Sequence, residues 1–167
     1  MSGSTPDGET APSAPDPAVA VLRALDARGW SVAAAESLTG GRLTAALVDV
    51  PGASAHLRGG IVAYSTDLKT SALGVEADLL AARGAVDPAV AEQMAQGVRH
   101  VLRADVGLAT TGVAGPDPQD GQPVGTVFVA VSTPETTVVT SLTLSGTRDE
   151  IRSRAVIGAL ELALTLL

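Results

Sequence analysis

The run Ser31-Val32-Ala33-Ala34-Ala35-Glu36-Ser37-Leu38-Thr39-Gly40-Gly41 decides the fold. Ser31 to Ala35 is small and apolar with no polar alternation, the pattern of a short strand buried on both faces. Glu36 to Gly41 is a tight passage, and Leu43, Ala46 and Leu47 then recur at helical spacing until Pro51-Gly52 stops the helix. A strand that passes through a turn directly into a helix is the repeating step of an α/β domain.

The same alternation extends outward in both directions. Upstream, Asp16 as cap and Pro17 at the first helical position open a helix through Val19, Leu22 and Leu25 that Gly29 ends. Downstream, Ile61 to Tyr64 reads as a second strand after Gly59-Gly60. Thr66 or Asp67 caps a short helix carrying Lys69 to Leu73, and residues 77–83 form another helical piece ending at Gly84. Asp87-Pro88 repeats the cap and proline, and Val90, Met94, Val98, Val101 and Leu102 place an apolar stripe on a helix to about Arg103. Val106 to Thr110 is a third strand. It runs into the loop Thr111-Gly112-Val113-Ala114-Gly115-Pro116 and a polar segment to Pro123.

Two β-branched runs, Gly125 to Ser132 and Thr137 to Leu144, flank Thr133-Pro134-Glu135 as an antiparallel hairpin. Thr147-x-x-Glu150 is a capping box that opens a last helix through Ile151, Val156, Leu160 and Leu164. The expected fold is α/β: a three-layer α/β/α sandwich with a mixed sheet of about five strands, mostly parallel with an antiparallel hairpin near the C-terminus. Residues 1–16, rich in Ser, Pro, Gly and Thr, are expected to be a disordered tail, and residues 17–167 one domain.

Composition narrows the function. Of 167 residues 46% are hydrophobic but only 2% aromatic, so the core must be built from Ala, Val, Leu and Ile. A formal charge of −7 and the lack of any basic run argue against nucleic-acid binding, which draws on clustered Lys and Arg. With no cysteine and only His56 and His100, no thiol nucleophile, thiolate zinc site or metal is expected. The N-terminal residues show no secretory pattern and no apolar run reaches membrane-spanning length, so the expectation is a cytoplasmic protein without a membrane partner. The run Ala155 to Leu167, interrupted among charges only by Glu161, leads to the expectation of a homodimer or larger assembly.

Among 11 basic residues Lys69 is the only lysine, and Tyr64, the only tyrosine, precedes it by five positions. Arginine does not lose its proton in a protein, whereas a desolvated lysine can serve as a base. Ser37, at a strand-to-helix turn, reads as a nucleophile or as an ordinary helix cap. Glu36 beside it is an orienting group or a charge at a helix N-terminus. Lys69 follows the second strand as Ser37 follows the first, and adjacent parallel strands bring their carboxyl ends together. The Thr111–Pro116 loop is a phosphate or ribose cradle or a simple connection; it contains neither a P-loop nor a Gly-x-Gly-x-x-Gly pattern. Arg148 offers an anion fork or a surface ion pair with Asp149 or Glu150.

Taken together, Ala35 to Gly41, Asp49-Val50-Pro51-Gly52-Ala53-Ser54, Gly59 to Ser65, Lys69, Leu73-Gly74-Val75, Thr111 to Pro116 and Pro123 to Val127 closely resemble the CinA carboxy-terminal domain family over about residues 17–167. The resemblance is to the stand-alone form, without the amino-terminal nucleotide-binding domain of longer members. It implies a nicotinamide-nucleotide amidohydrolase that converts nicotinamide mononucleotide (NMN) to nicotinate mononucleotide and ammonia, in pyridine nucleotide salvage, with no cofactor. The family's serine falls on Ser37, its lysine on Lys69, its tyrosine on Tyr64, its threonine on Thr111 and its arginine on Arg148. Two places depart from the pattern: Leu38 stands where relatives carry a small residue or cysteine, and Asp117-Pro118-Gln119-Asp120 replaces a glycine-rich continuation.

The expected chemistry has Ser37 attacking a carboxamide carbon while neutral Lys69, with Tyr64 beside it, takes the proton. Thr39, Gly40, Gly41, Thr111, Gly112, Gly115 and Arg148 are the expected substrate and oxyanion contacts. A non-catalytic nucleotide- or partner-binding module, or a Ser–Lys amidase acting on another small amide, would carry the same features.

Overall fold

The computed structural model describes residues 15–167; the expected tail therefore falls outside the described residues except for Pro15 and Asp16. Asp16 belongs to the folded unit, since its carboxylate accepts the Ala18 N–H at 2.8 Å and caps α1 (Pro17–Arg28). The elements that follow are β1 (Val32–Glu36), α2 (Arg42–Val48), a 3-10 turn (Ala53–Ala55), β2 (Leu57–Val62), α3 (Thr66–Leu73), α4 (Ala77–Arg83), α5 (Pro88–Leu102), β3 (Val106–Gly112), β4 (Thr126–Ser132), β5 (Thr137–Thr143) and α6 (Arg148–Leu164). The five strands form one sheet in the order β2-β1-β3-β4-β5. β1 is parallel to β2 and β3, and β4 is antiparallel to both β3 and β5.

Two apolar layers enclose the sheet. Leu22, Leu25, Leu43, Leu47, Ile151 and Leu160 from α1, α2 and α6 cover one face with Val32, Leu108 and Val129. Leu73, Val90, Met94 and Val98 from α3 and α5 cover the other with Ala33, Ala35 and Ala109. Along α6 the residues Ile151, Ala155, Val156, Ala159, Leu160 and Ala163 are all buried in the first layer. The apolar C-terminal run is thus covered from within the chain; Ile157 and Leu164 stay exposed.

The structure departs from the sequence reading at two strands. β2 begins at Leu57, four residues before the expected start, and ends at Val62, so Tyr64 lies beyond it. Gly59-Gly60 reads as a breaker, but Gly60 is in the strand because α2 crosses it closely: a Cβ there would sit 2.0 Å from Thr44 Oγ1. β3 runs on to Gly112, so Thr111 and Gly112 are strand rather than loop.

A second close approach fixes the helix that carries Lys69. A Cβ on Gly97 of α5 would lie 1.9 Å from the Leu73 carbonyl oxygen at the end of α3. In an exposed helix Gly→Ala gains about 1 kcal/mol of helix propensity. Here overpacking against backbone outweighs it, and Gly97→Ala is expected to lower stability by about 1–3 kcal/mol in denaturant unfolding. A stabilised variant would contradict this packing.

Candidate active site

β1 lies between β2 and β3, so the chain leaves its carboxyl end at a point where neighbouring connections diverge, which is where open α/β sheets form crevices. Ser37 is the first residue past β1. Its N–H donates to the Thr110 carbonyl at 3.0 Å, and its own carbonyl accepts the Gly40 N–H at 3.1 Å, so its backbone is held on both sides. Its side chain is buried but reaches the wall of a cleft of about 160 Å³.

Lys69 projects from α3 into the same place and is only 1% exposed. Its Nζ lies 3.1 Å from Ser37 Oγ and donates to the carbonyls of Ala63 at 2.8 Å and Tyr64 at 3.5 Å. An ammonium finds three acceptors there. A neutral amine can instead accept the Ser37 hydroxyl proton without any movement of the chain. Burial pushes the Lys69 pKa below its ordinary value, and the carboxylates of Asp120 and Asp67 oppose that shift. The pairing expected from two strand ends is therefore present at hydrogen-bond distance.

The turn beside Ser37 is organised differently from expectation. Glu36 is fully buried, and its Oε2 accepts from Thr39 Oγ1 at 2.6 Å, Gly41 N–H at 3.0 Å and Leu43 N–H at 2.9 Å. Oε1 accepts from the N–H and hydroxyl of Thr44 at 2.8 and 2.7 Å. The donors that open α2, read from the sequence as free for a ligand, are already satisfied by this one side chain. Thr39 turns inward, also bonding Thr110 Oγ1 at 2.7 Å. Thr39, Gly40 and Gly41 thus serve the turn itself, and Leu38 is the residue of that turn that reaches the cleft.

Other expected residues divide between the cleft and the core. Gly112, Gly115, Tyr64 and Arg148 line the cleft. Arg148, the first residue of α6, donates to the Gly115 carbonyl at 2.6 Å and to the Tyr64 hydroxyl at 3.2 Å. It makes no salt bridge among the described residues, since Asp149 bonds Arg42 at 2.6 Å instead. Tyr64 is 60% exposed, and only its backbone carbonyl meets Lys69, so its phenol is a wall of the cleft rather than a third member of the Ser–Lys pair. Thr111 is buried with its hydroxyl on the Ala85 carbonyl at 2.7 Å; the strand's alternation turns it away from the cleft.

His56 lies away from the Ser37–Lys69 pair. Its ring nitrogens lie 3.1 Å from the Trp30 carbonyl and 3.0 Å from Asp26. Its carbonyl bonds Val32 at the start of β1, the end of the strand opposite Ser37. A roomier hollow of about 510 Å³ surrounds it but contains no nucleophile paired with a base.

Glu36 is a charge at the start of α2 and orients the turn, as the sequence suggests; the fold-back of Thr39 and Thr44 onto it has no local sequence signal, and neither has the role of Asp120. Asp120 accepts the Ala85 N–H at 2.8 Å, which ties its loop to the segment before α5. Replacing Glu36 by Gln puts an NH₂ where one set of donors now points, and is expected to cost about 2–4 kcal/mol of stability by thermal or denaturant unfolding. Unchanged stability would show that the carboxylate does not anchor the turn.

Comparison with known proteins agrees with this architecture. The CinA C-terminal domain family model matches residues 16–167. A "CinA-like protein" of Frankia casuarinae is 54% identical over 147 residues, covering 88% of this chain and 34% of that protein. A "putative competence-damage inducible protein" of Caldanaerobacter subterraneus is 46% identical over 143 residues, covering 85% of this chain and 35% of that protein. The chain spans about a third of the length of these curated relatives. Among solved structures, the competence damage-inducible protein A of Klebsiella pneumoniae superposes with a TM-score of 0.87 at 35% identity, covering 90% of this chain and 94% of that one. A CinA superfamily protein of Escherichia coli gives 0.87 at 32% identity, with coverages of 90% and 88%. The fold, the sheet order and the sequence match together establish that the chain belongs to the CinA C-terminal domain family.

Proposed function

We propose that this domain is an amidohydrolase that releases ammonia from the carboxamide of NMN by a Ser37–Lys69 mechanism. The observation that carries the reading is a buried lysine Nζ 3.1 Å from a serine Oγ at the wall of a cleft. Lysine is a base only when neutral, and burial favours that form. Arg148, with no carboxylate partner among the described residues, suits the phosphate of the substrate.

In this mechanism Lys69 takes the Ser37 hydroxyl proton as Oγ bonds to the carboxamide carbon. The carbonyl oxygen becomes an oxyanion. It falls to backbone N–H groups at Leu38 and Gly112, because those of Gly40 and Gly41 are engaged within the turn. The Lys69 ammonium then protonates the amide nitrogen, the C–N bond breaks and ammonia leaves an ester on Ser37. Lys69 next takes a proton from water, hydroxide adds to the ester carbon, and Ser37 departs with the proton returned by Lys69. The products are nicotinate mononucleotide and free enzyme.

Ammonia release on incubation with NMN tests the reaction. Ser37→Ala should lower turnover by about 10⁴ to 10⁶. Lys69→Arg should also inactivate, because a guanidinium keeps the charge but cannot accept the proton. Activity within tenfold of the parent in either variant contradicts the mechanism, and absence of ammonia release by the parent favours a binding module.

The pH dependence has a defined sign. The rate should rise with pH as Lys69 loses its proton and level off below the ordinary lysine range, since burial depresses its pKa. Asp120 favours the protonated form. Asp120→Asn should therefore shift the rising limb to lower pH, and a shift to higher pH would contradict the assignment of that limb to Lys69.

A further inference from the structure

Asp117-Pro118-Gln119-Asp120 follows the Thr111–Pro116 loop, and Asp117 and Gln119 line the cleft. Asp117 lies between two prolines, and the one that follows confines its backbone to extended conformations. The loop beyond is closed by paired backbone bonds between Gln119 and Gln122 at 3.1 and 2.8 Å. It is fastened where the Asp120 carboxylate receives the Ala85 N–H at 2.8 Å, and Thr111 Oγ1 holds the carbonyl of the same Ala85 at 2.7 Å. Gly84 leaves room for this contact, since a Cβ there would be 2.6 Å from Asp120 Cγ. Asp117 is thus presented by a braced segment.

The charged side chains that line the cleft are Asp117 and Arg148. Arg148 bonds the Gly115 carbonyl, two residues before Asp117, yet the two form no salt bridge with each other, and neither pairs with another ionised group among the described residues. A cleft lined by one cation and one anion that do not pair with each other is complementary to a ligand bearing both signs. NMN is such a ligand, with a pyridinium ring next to the carboxamide and a phosphate at the other end.

Resting on the function proposed above, we infer that Asp117 is a specificity-determining residue, whose carboxylate recognises the positive charge of the nicotinamide ring while Arg148 takes the phosphate. The domain thereby selects oxidised nicotinamide nucleotides over carboxamides with an uncharged ring. The carboxylate is exposed, so the preference it confers is modest and sensitive to salt.

The test compares NMN with its reduced, uncharged-ring counterpart, which keeps the ribose, the phosphate and the carboxamide. Dissociation constants are measured by calorimetry on the Ser37→Ala protein with and without Asp117→Asn, and kcat/KM on proteins that retain Ser37. Asp117→Asn should weaken NMN binding about tenfold and raise KM in proportion, leave the reduced nucleotide within twofold, and abolish the salt dependence of the preference. Equal losses for both nucleotides, or no loss for NMN, overturn the inference. Parent protein that releases no ammonia from NMN refutes the amidohydrolase reading alone, because the ratio of dissociation constants still decides the role of Asp117.

Discussion

The burial of one lysine is the constraint around which the site is arranged. Taking an ammonium out of water is costly, and a folded chain tolerates it only with acceptors in place or with the proton given up. Lys69 has both options, because the carbonyls of Ala63 and Tyr64 and the Ser37 hydroxyl surround its Nζ. The residues just past β2 supply the two carbonyls, the residue just past β1 supplies the serine, and α3 supplies the lysine. Each comes from a different element, so the site exists only when the parallel pair β1 and β2 is in register.

Glu36 provides the second fixed point. One carboxylate gathers Thr39, Gly41, Leu43 and Thr44, and so joins the end of β1 to the start of α2 around the turn that presents Ser37. This arrangement spends the helix N-terminus on structure, whereas Arg148, held at the cleft by the Gly115 carbonyl and the Tyr64 hydroxyl, is the group to which the proposed function assigns the phosphate. Two groups of donors that a sequence reading merges are separate in the structure.

The fold was legible because its signals are local. Asp16-Pro17, Asp87-Pro88 and the Thr147–Glu150 capping box each mark a helix start that the structure reproduces. The proximity of Ser37 and Lys69 was legible too, since each follows one of two adjacent parallel strands. What stayed hidden depended on contacts between distant residues. The Gly59-Gly60 stretch looks like a break until α2 and Thr44 are seen crossing it. Thr111 looks like a loop ligand until β3 is seen to continue and aim it at Ala85. The family resemblance places Tyr64 beside the lysine, yet the partner of its phenol is Arg148, eighty-four residues away.

Because the chain contains a single lysine, the central claim can be read from one signal. Protein labelled with ¹³C at the lysine ε-carbon gives one side-chain resonance, and its shift against pH reports the ionisation of Lys69 directly. A midpoint below the ordinary lysine range is the predicted result. A midpoint at or above that range would show an ammonium retained beside Ser37 at working pH, and would contradict the account of Lys69 as the base that activates it.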